Sequence, residues 1–138
     1  MRTLPGYSLP STTEMNIHEV FTRIFIQLSE IDKRISFYEN LCGKKCTLRF
    51  KYDEKNLELA VVGSFLLIAG SESHLEPFKE TRITCLVDSV DDFKTFLQEQ
   101  GASILDAPKA TLTGRNMRAR HIDGLVVEYV EHEVKGEA

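Results

Sequence analysis

The sequence predicts an α+β fold: two βαβββ modules that build an eight-stranded, cup-shaped mixed sheet with helices on the outside. An internal repeat carries this expectation first. Thr22-Arg23-Ile24 recurs as Thr81-Arg82-Ile83, 59 residues later, and the same offset pairs Ile26 with Cys85, Leu28 with Val87, Ile31 with Val90 and Phe37 with Phe96. A match sustained this far marks a duplicated unit. The second observation is that in each copy the apolar spacing goes from alternation to helical and back to alternation. The third is that a glycine stands where each helix must stop, at Gly43 and Gly101.

Residues 19–28 set Ile24, Ile26 and Leu28 against Arg23, Phe25 and Gln27, the pattern of a strand with one buried face. Residues 31–42 place Ile31, Ile35, Tyr38 and Leu41-Cys42 on one helical face, with Ser29 as cap and Asp32 at the favourable N-terminal end. Strands follow over 45–53, 56–62 and 64–69, broken by Asp53-Glu54-Lys55-Asn56 and Gly63-Ser64. The second copy runs as strand 81–87, helix 90–100, and strands near 103–106, 115–121 and 125–131, with Asp123-Gly124 as a tight turn before the last. The modules are therefore 17–69 and 80–132, joined by a polar linker at 70–79. Residues 1–16 hold two prolines and no period and read as a flexible arm; residues 133–138 read as a frayed tail.

The chain has 138 residues, enough for one domain with a proper core. Apolar residues at 42% and charged residues at 28% exclude a wholly disordered chain. A net charge of −4 disfavours a non-specific grip on nucleic acid or an acidic membrane, and no apolar run approaches the ~20 residues of a bilayer span. Three cysteines, an odd number without a second ligand pair, predict reduced thiols in a cytoplasmic protein and no structural zinc. There is no glycine-rich phosphate loop, so no nucleotide cofactor is expected.

Each module has one helix to cover one sheet face. Ile24, Ile26, Leu28, Ile83, Cys85 and Val87 supply that apolar face. The opposite face becomes the wall of the cup and carries Arg23, Phe25, Gln27, Arg82, Thr84 and Leu86, a mixture suited to a small molecule. Phe25 and Phe65 are placed as its aromatic floor. Arg118 and Arg120 share one strand face, either as a rim that draws in an anionic ligand or as a solvated face paired with acids. His121, just before the Asp123-Gly124 turn, is placed within reach of the rim as a candidate general base.

Ser36-Phe37-Tyr38-Glu39 before Gly43, Leu86-Val87-Asp88-Ser89-Val90, and the closing run Asp123-Gly124-Leu125-Val126-Val127-Glu128-Tyr129-Val130-Glu131, in this order on two βαβββ modules, resemble the vicinal oxygen chelate superfamily: glyoxalase I, bleomycin-resistance proteins and extradiol dioxygenases. The resemblance covers about 17–132. It implies a divalent ion held from strands one, four, five and eight. Carried over residue by residue, those positions hold Arg23, Leu67, Arg82 and Glu128. A guanidinium has no lone pair to give and leucine no donor atom, so one carboxylate is left and no metal is expected. The charges imply an Arg23–Glu128–Arg82 cluster, read either as a structural ion-pair triad or as spare positive charge for an anionic ligand group.

The resulting expectation is a metal-independent protein, without cofactor, that binds a small, partly anionic molecule through Arg23, Phe25, Phe65, Arg82, Thr84, Arg118, His121 and Glu128. The alternative is a metal-dependent lyase, isomerase or dioxygenase with unusual ligands such as His121 with Glu128. Relatives of this kind pair, so a homodimer is expected, its modules swapped through the linker or not.

Overall fold

A computed structural model describes residues 15–111 and 114–132. The predicted arm, apart from Met15 and Asn16, and the predicted tail lie outside the described residues. The strands are β1 (Ile17–Ile26), β2 (Leu48–Tyr52), β3 (Leu57–Val62), β4 (Phe65–Ala69), β5 (Ile83–Val87), β6 (Ser103–Ala110), β7 (Gly114–Arg120) and β8 (Val126–His132). The helices are α1 (Ile31–Cys42), α2 (Glu72–Leu75) and α3 (Val90–Glu99). All eight strands form one mixed sheet in the order β2-β3-β4-β1-β5-β8-β7-β6. Strands β1 and β4, and β5 and β8, run parallel; β1 and β5 join the two modules edge to edge, antiparallel.

The two repeats explain this symmetry. In the first module α1 packs Ile31 and Ile35 against Ile26, Ala60, Val62, Leu67 and Ala69. In the second, α3 packs Val90, Phe93 and Leu97 against Cys85, Val87, Met117, Ala119, Val127 and Tyr129. The period-two alternation thus delivers one apolar sheet face per module to one helix. Gly43 ends α1 in the left-handed region at φ 67°, its N–H donating to the Glu39 carbonyl at 2.9 Å, a conformation that costs any other residue strain. Ser89 caps α3 and accepts from the Asp92 N–H at 3.2 Å. Ser29 does not cap α1. It lies within a 3₁₀ turn, Leu28–Glu30, that leads into the helix with Glu30 at the cap position. The short turn takes up the residues between strand and helix, so the cap falls one residue later than the sequence pattern places it.

The stretch predicted as a polar linker is folded. It forms α2 and a 3₁₀ turn, Glu76–Phe78, and turns Leu75 and Phe78 onto the sheet face that α1 leaves bare. There they meet Leu57, Leu66 and Ile68, with Phe21, Phe25, Leu59 and Val61 alongside. Gly70 starts this strap because the chain passes so close to the sheet: a Cβ there would stand 2.8 Å from Leu57 Cδ2.

Candidate functional site

Strand register sets the site. Thr84 on β5 lies opposite Phe21 on β1 and Glu128 on β8. Glu128 lies opposite Arg118 on β7, which lies opposite Asp106 on β6. Residues directly opposite share a face, so Phe21, Thr84, Glu128, Arg118 and Asp106 form one row on the helix-free side of the sheet, from β1 across the second module. Arg23, two residues beyond Phe21, and Asn116, two before Arg118, point to the same side.

At the centre Arg23 donates from Nη2 to Glu128 Oε1 at 2.7 Å and from Nε to Thr84 Oγ1 at 2.9 Å. The Thr84 hydroxyl donates to Glu128 Oε1 at 3.3 Å, and Asn116 Nδ2 donates to Glu128 Oε2 at 3.1 Å. The carboxylate is therefore held by three donors. The Arg23 side chain is only 6% exposed and that of Glu128 21%. Burial is the largest influence on Arg23 and pulls its pKa below the ordinary value, against the charge and hydrogen bond of Glu128; the like charge of Arg118 pulls the same way as burial. The guanidinium stays charged.

Arg118 is held by Asp106, by Thr81 Oγ1 at 3.0 Å and by Glu80 at 3.5 Å, and the Asp106 hydrogen bond holds its pKa above the ordinary value. Arg120 reaches Glu80 at 2.8 Å and Arg115 reaches Asp91. The basic stripe of β7 is thus paired with acids.

Four of the residues singled out from sequence, Arg23, Thr84, Arg118 and Glu128, come together on this face. Four others need correction. Arg82 is exposed and, among the described residues, forms no ion pair; its carbonyl accepts from Arg23 N–H, and its side chain stands outside the cluster where Arg118 approaches instead. The triad drawn from charge alone is therefore a pair, Arg23–Glu128, with Arg118 near it. Phe65 is on the helix side, not in the cup: it lies opposite Thr22 and stacks on Tyr38 of α1, ring centres 4.7 Å apart. Leu67 likewise belongs to the α1 core. The register pairs Phe25 with Ile68 as it pairs Thr84 with Glu128, so Ile68 is the counterpart of Glu128, and the glycine-turn alignment is off by one. His121 is also on the helix side, where Nε2 meets the Tyr129 hydroxyl at 2.6 Å beside Phe93 and Leu97. It neither reaches the cup nor joins Glu128 at a metal. Phe25 faces the cup and lines an open cleft of about 1030 Å³ with Leu57, Leu75, Lys51, His74 and Lys79, at the end of the strap rather than at the Arg23 network. Asn116 and Asp106 are not among the residues that the sequence places in the cup. Their signal is the alternation of β7 and its pairing with β6 and β8, which needs the register to be seen.

Burial pushes the Tyr129 phenol up to about 12. The neutral phenol is then favoured in the folded state, so its contribution is whole below the unfolded value near 10 and is lost as pH rises through about 12. Urea midpoints should fall across this alkaline window, with a late phenolate step in the ultraviolet titration. Tyr129→Phe should remove that step and flatten the fall.

The donor set tests the superfamily's metal. Arg23, Ile68 and Arg82 cannot ligate a cation, Thr84 is engaged by Arg23 and Glu128, and Glu128 is the only strong ligand among them. Among the described residues no three His, Cys, Asp or Glu side chains converge to hold an ion. These residues do not fit the metal.

Two βαβββ modules edge to edge in one open sheet are a fold shared with solved structures of low sequence identity. Methylmalonyl-CoA epimerase from Mycobacterium tuberculosis shares it at 17% identity and a TM-score of 0.66, over 86% of this chain and 91% of that one. Streptomyces coelicolor methylmalonyl-CoA epimerase, solved in complex with 2-nitronate-propionyl-CoA, shares it at 13% identity and a TM-score of 0.64, over 86% of this chain and all 100% of that one. An uncharacterized protein from Methanosarcina mazei is 43% identical, with a TM-score of 0.79 over 89% of this chain and 99% of that one. The chain belongs to the same family as this Methanosarcina mazei protein. No family model and no curated protein matches the sequence. No helix among the described residues is long and apolar enough to cross a membrane.

Proposed function

We propose that this protein binds a small, partly anionic molecule on the cup face without a metal ion, Arg23 serving in the place where the superfamily puts a cation. The observation that carries this reading is the buried Arg23 guanidinium, 2.7 Å from Glu128, in a row of polar side chains on the helix-free face. A fixed positive group on the cup face attracts an oxyanion. The Streptomyces coelicolor epimerase of the same fold is solved with 2-nitronate-propionyl-CoA, a ligand that carries anionic groups.

The reading is tested by elemental analysis of protein purified without a tag, together with calorimetry and thermal-shift measurements against organic acids and cationic drugs. Organic acids should raise the melting temperature, and Zn, Ni, Mn and Fe should be far below one per chain. Stoichiometric metal would favour a lyase, isomerase or dioxygenase instead, and silence from every ligand class would leave the cup a filled structural element. The same reading carries a homodimer, supported by the exposed Leu48, Phe50 and Tyr52 on the edge strand β2; a monomer by light scattering at micromolar concentration would remove it.

A further inference from the structure

Strand β1 is the fourth of eight in the sheet, yet the helix side of its first half is bare. Ile17 lies opposite Val87, Val20 opposite Cys85 and Thr22 opposite Ile83, so all three point to the side on which α1 and α3 pack. All three are exposed. The α1 core takes in β3, β4 and only the end of β1; the α3 core takes in β5, β7 and β8. A trough therefore runs between the helices along the joint of the two modules. Phe96 forms one wall and lines a groove of about 370 Å³ along α3 together with Ile17, Phe93 and Ile122. Its counterpart in the repeat, Phe37, forms the other. Phe37 stands edge-on to Tyr38, ring centres 5.0 Å apart, and Tyr38 stacks on Phe65, which lies opposite Thr22. Ile17, Val20, Phe37, Phe96 and Ile122 are between 42% and 80% exposed. At roughly 150–200 Å² for each whole side chain they present on the order of 500 Å² of apolar surface. A sheet must bury its apolar face against another element, and an exposed patch of this size marks a contact surface.

We propose that a second copy of this chain covers the trough, the two molecules being related by a twofold axis and packed through their helix sides. This rests on the homodimer proposed above and names its surface. Two observations select a second copy. The first is area. A standard interface takes about 800 Å² from each partner, and about 65% of a homodimer interface is apolar, which is on the order of the surface the trough presents. Strand β2, with Leu48, Phe50 and Tyr52 at 37–50% exposure, presents roughly half as much. The second is symmetry. A twofold interface is self-complementary. The repeat has built the trough with like walls, Phe37 on α1 and Phe96 on α3, on either side of the antiparallel joint of β1 and β5. A half-turn of one copy against the other sets walls of the same chemistry against the same bare floor. The helix-free faces then point away from each other, and both cups stay open to ligand.

Sedimentation velocity from nanomolar to micromolar concentration tests this on the intact chain and on two double variants. The wild-type chain should be a dimer. Phe37→Ser with Phe96→Ser should raise the dimer dissociation constant about a hundredfold, because a twofold interface loses each side chain twice. Leu48→Ser with Phe50→Ser should change it by no more than about twofold, since side chains outside an interface add little to it. An equal or larger loss from the β2 pair, or none from the phenylalanine pair, would overturn the helix-side surface and leave the homodimer standing. A wild-type chain that stays monomeric throughout would overturn both. Hydrogen exchange on the wild-type chain decides even if a variant fails to fold. Amides of α1 and α3 should gain protection as concentration rises through the dissociation constant, and those of 48–52 should not. Protection gained at 48–52 instead would overturn the helix-side surface.

Discussion

Arg23→Met is expected to destabilise the fold by about 3 kcal/mol, and Glu128→Leu by a similar amount, whereas the double variant should be more stable than either. The reason is asymmetric. With both partners present, the Coulomb attraction and three further hydrogen bonds offset the desolvation of two buried charges. With one partner removed, the other is left buried and unpaired. Among the described residues Arg23 has no carboxylate partner besides Glu128. With both removed, no charge remains to be desolvated, and methionine beside leucine can pack. Urea denaturation of the four proteins measures the coupling; in a domain of this size 3 kcal/mol is about 10 °C in melting temperature. Strict additivity of the two single effects would show that the pair is not the unit described here. Arg82→Met, by contrast, should shift stability by no more than about 0.5 kcal/mol, since an exposed side chain away from such features seldom does more.

That contrast between Arg23 and Arg82 also shows where sequence reasoning stopped. The repeat makes the two arginines equivalent, and in backbone register they are: Arg23 N–H donates to the Arg82 carbonyl. What separates them is the neighbourhood each module supplies. Thr84 and Glu128 stand next to Arg23 across the module joint, while Arg82 lies before the first residue of β5. A duplicated sequence states the equivalence and hides the joint. The strands and both main helices were legible because burial on one face leaves a periodic trace, as in Ile83, Cys85 and Val87. The face of Phe65 was not. An alignment on glycine turns shifts β4 by one residue, and one residue flips every side chain of a strand. His121 escaped for a related reason: its placement follows from a turn, and only Tyr129 on the helix side fixes which way the ring goes.

The segment 70–79 was the least legible, since it is polar apart from Leu75 and Phe78 and too short for a period to show. Its effect is large, because Leu75 is buried on the same face as the proposed site and separates the apolar half of the cup from solvent. Leu75→Ala is expected to cost about 3 kcal/mol. The loss has a location as well as a size. Ser71 and His74 hold the strap through their side chains, and Glu80 and Thr81 hold its far end through Arg118. Without Leu75 the middle loses its apolar anchor against Leu57 and Ile68, so opening is confined to this segment. Leu67→Ala serves as the control. It removes a fully buried leucine from the α1 side at comparable cost and does not touch the cup. Hydrogen exchange should therefore accelerate across 71–80 in Leu75→Ala before global unfolding, and an environment-sensitive apolar dye should bind that variant and not Leu67→Ala. If both variants exchange and bind dye alike, the strap is part of one cooperative core and does not set how much of the cup a ligand meets.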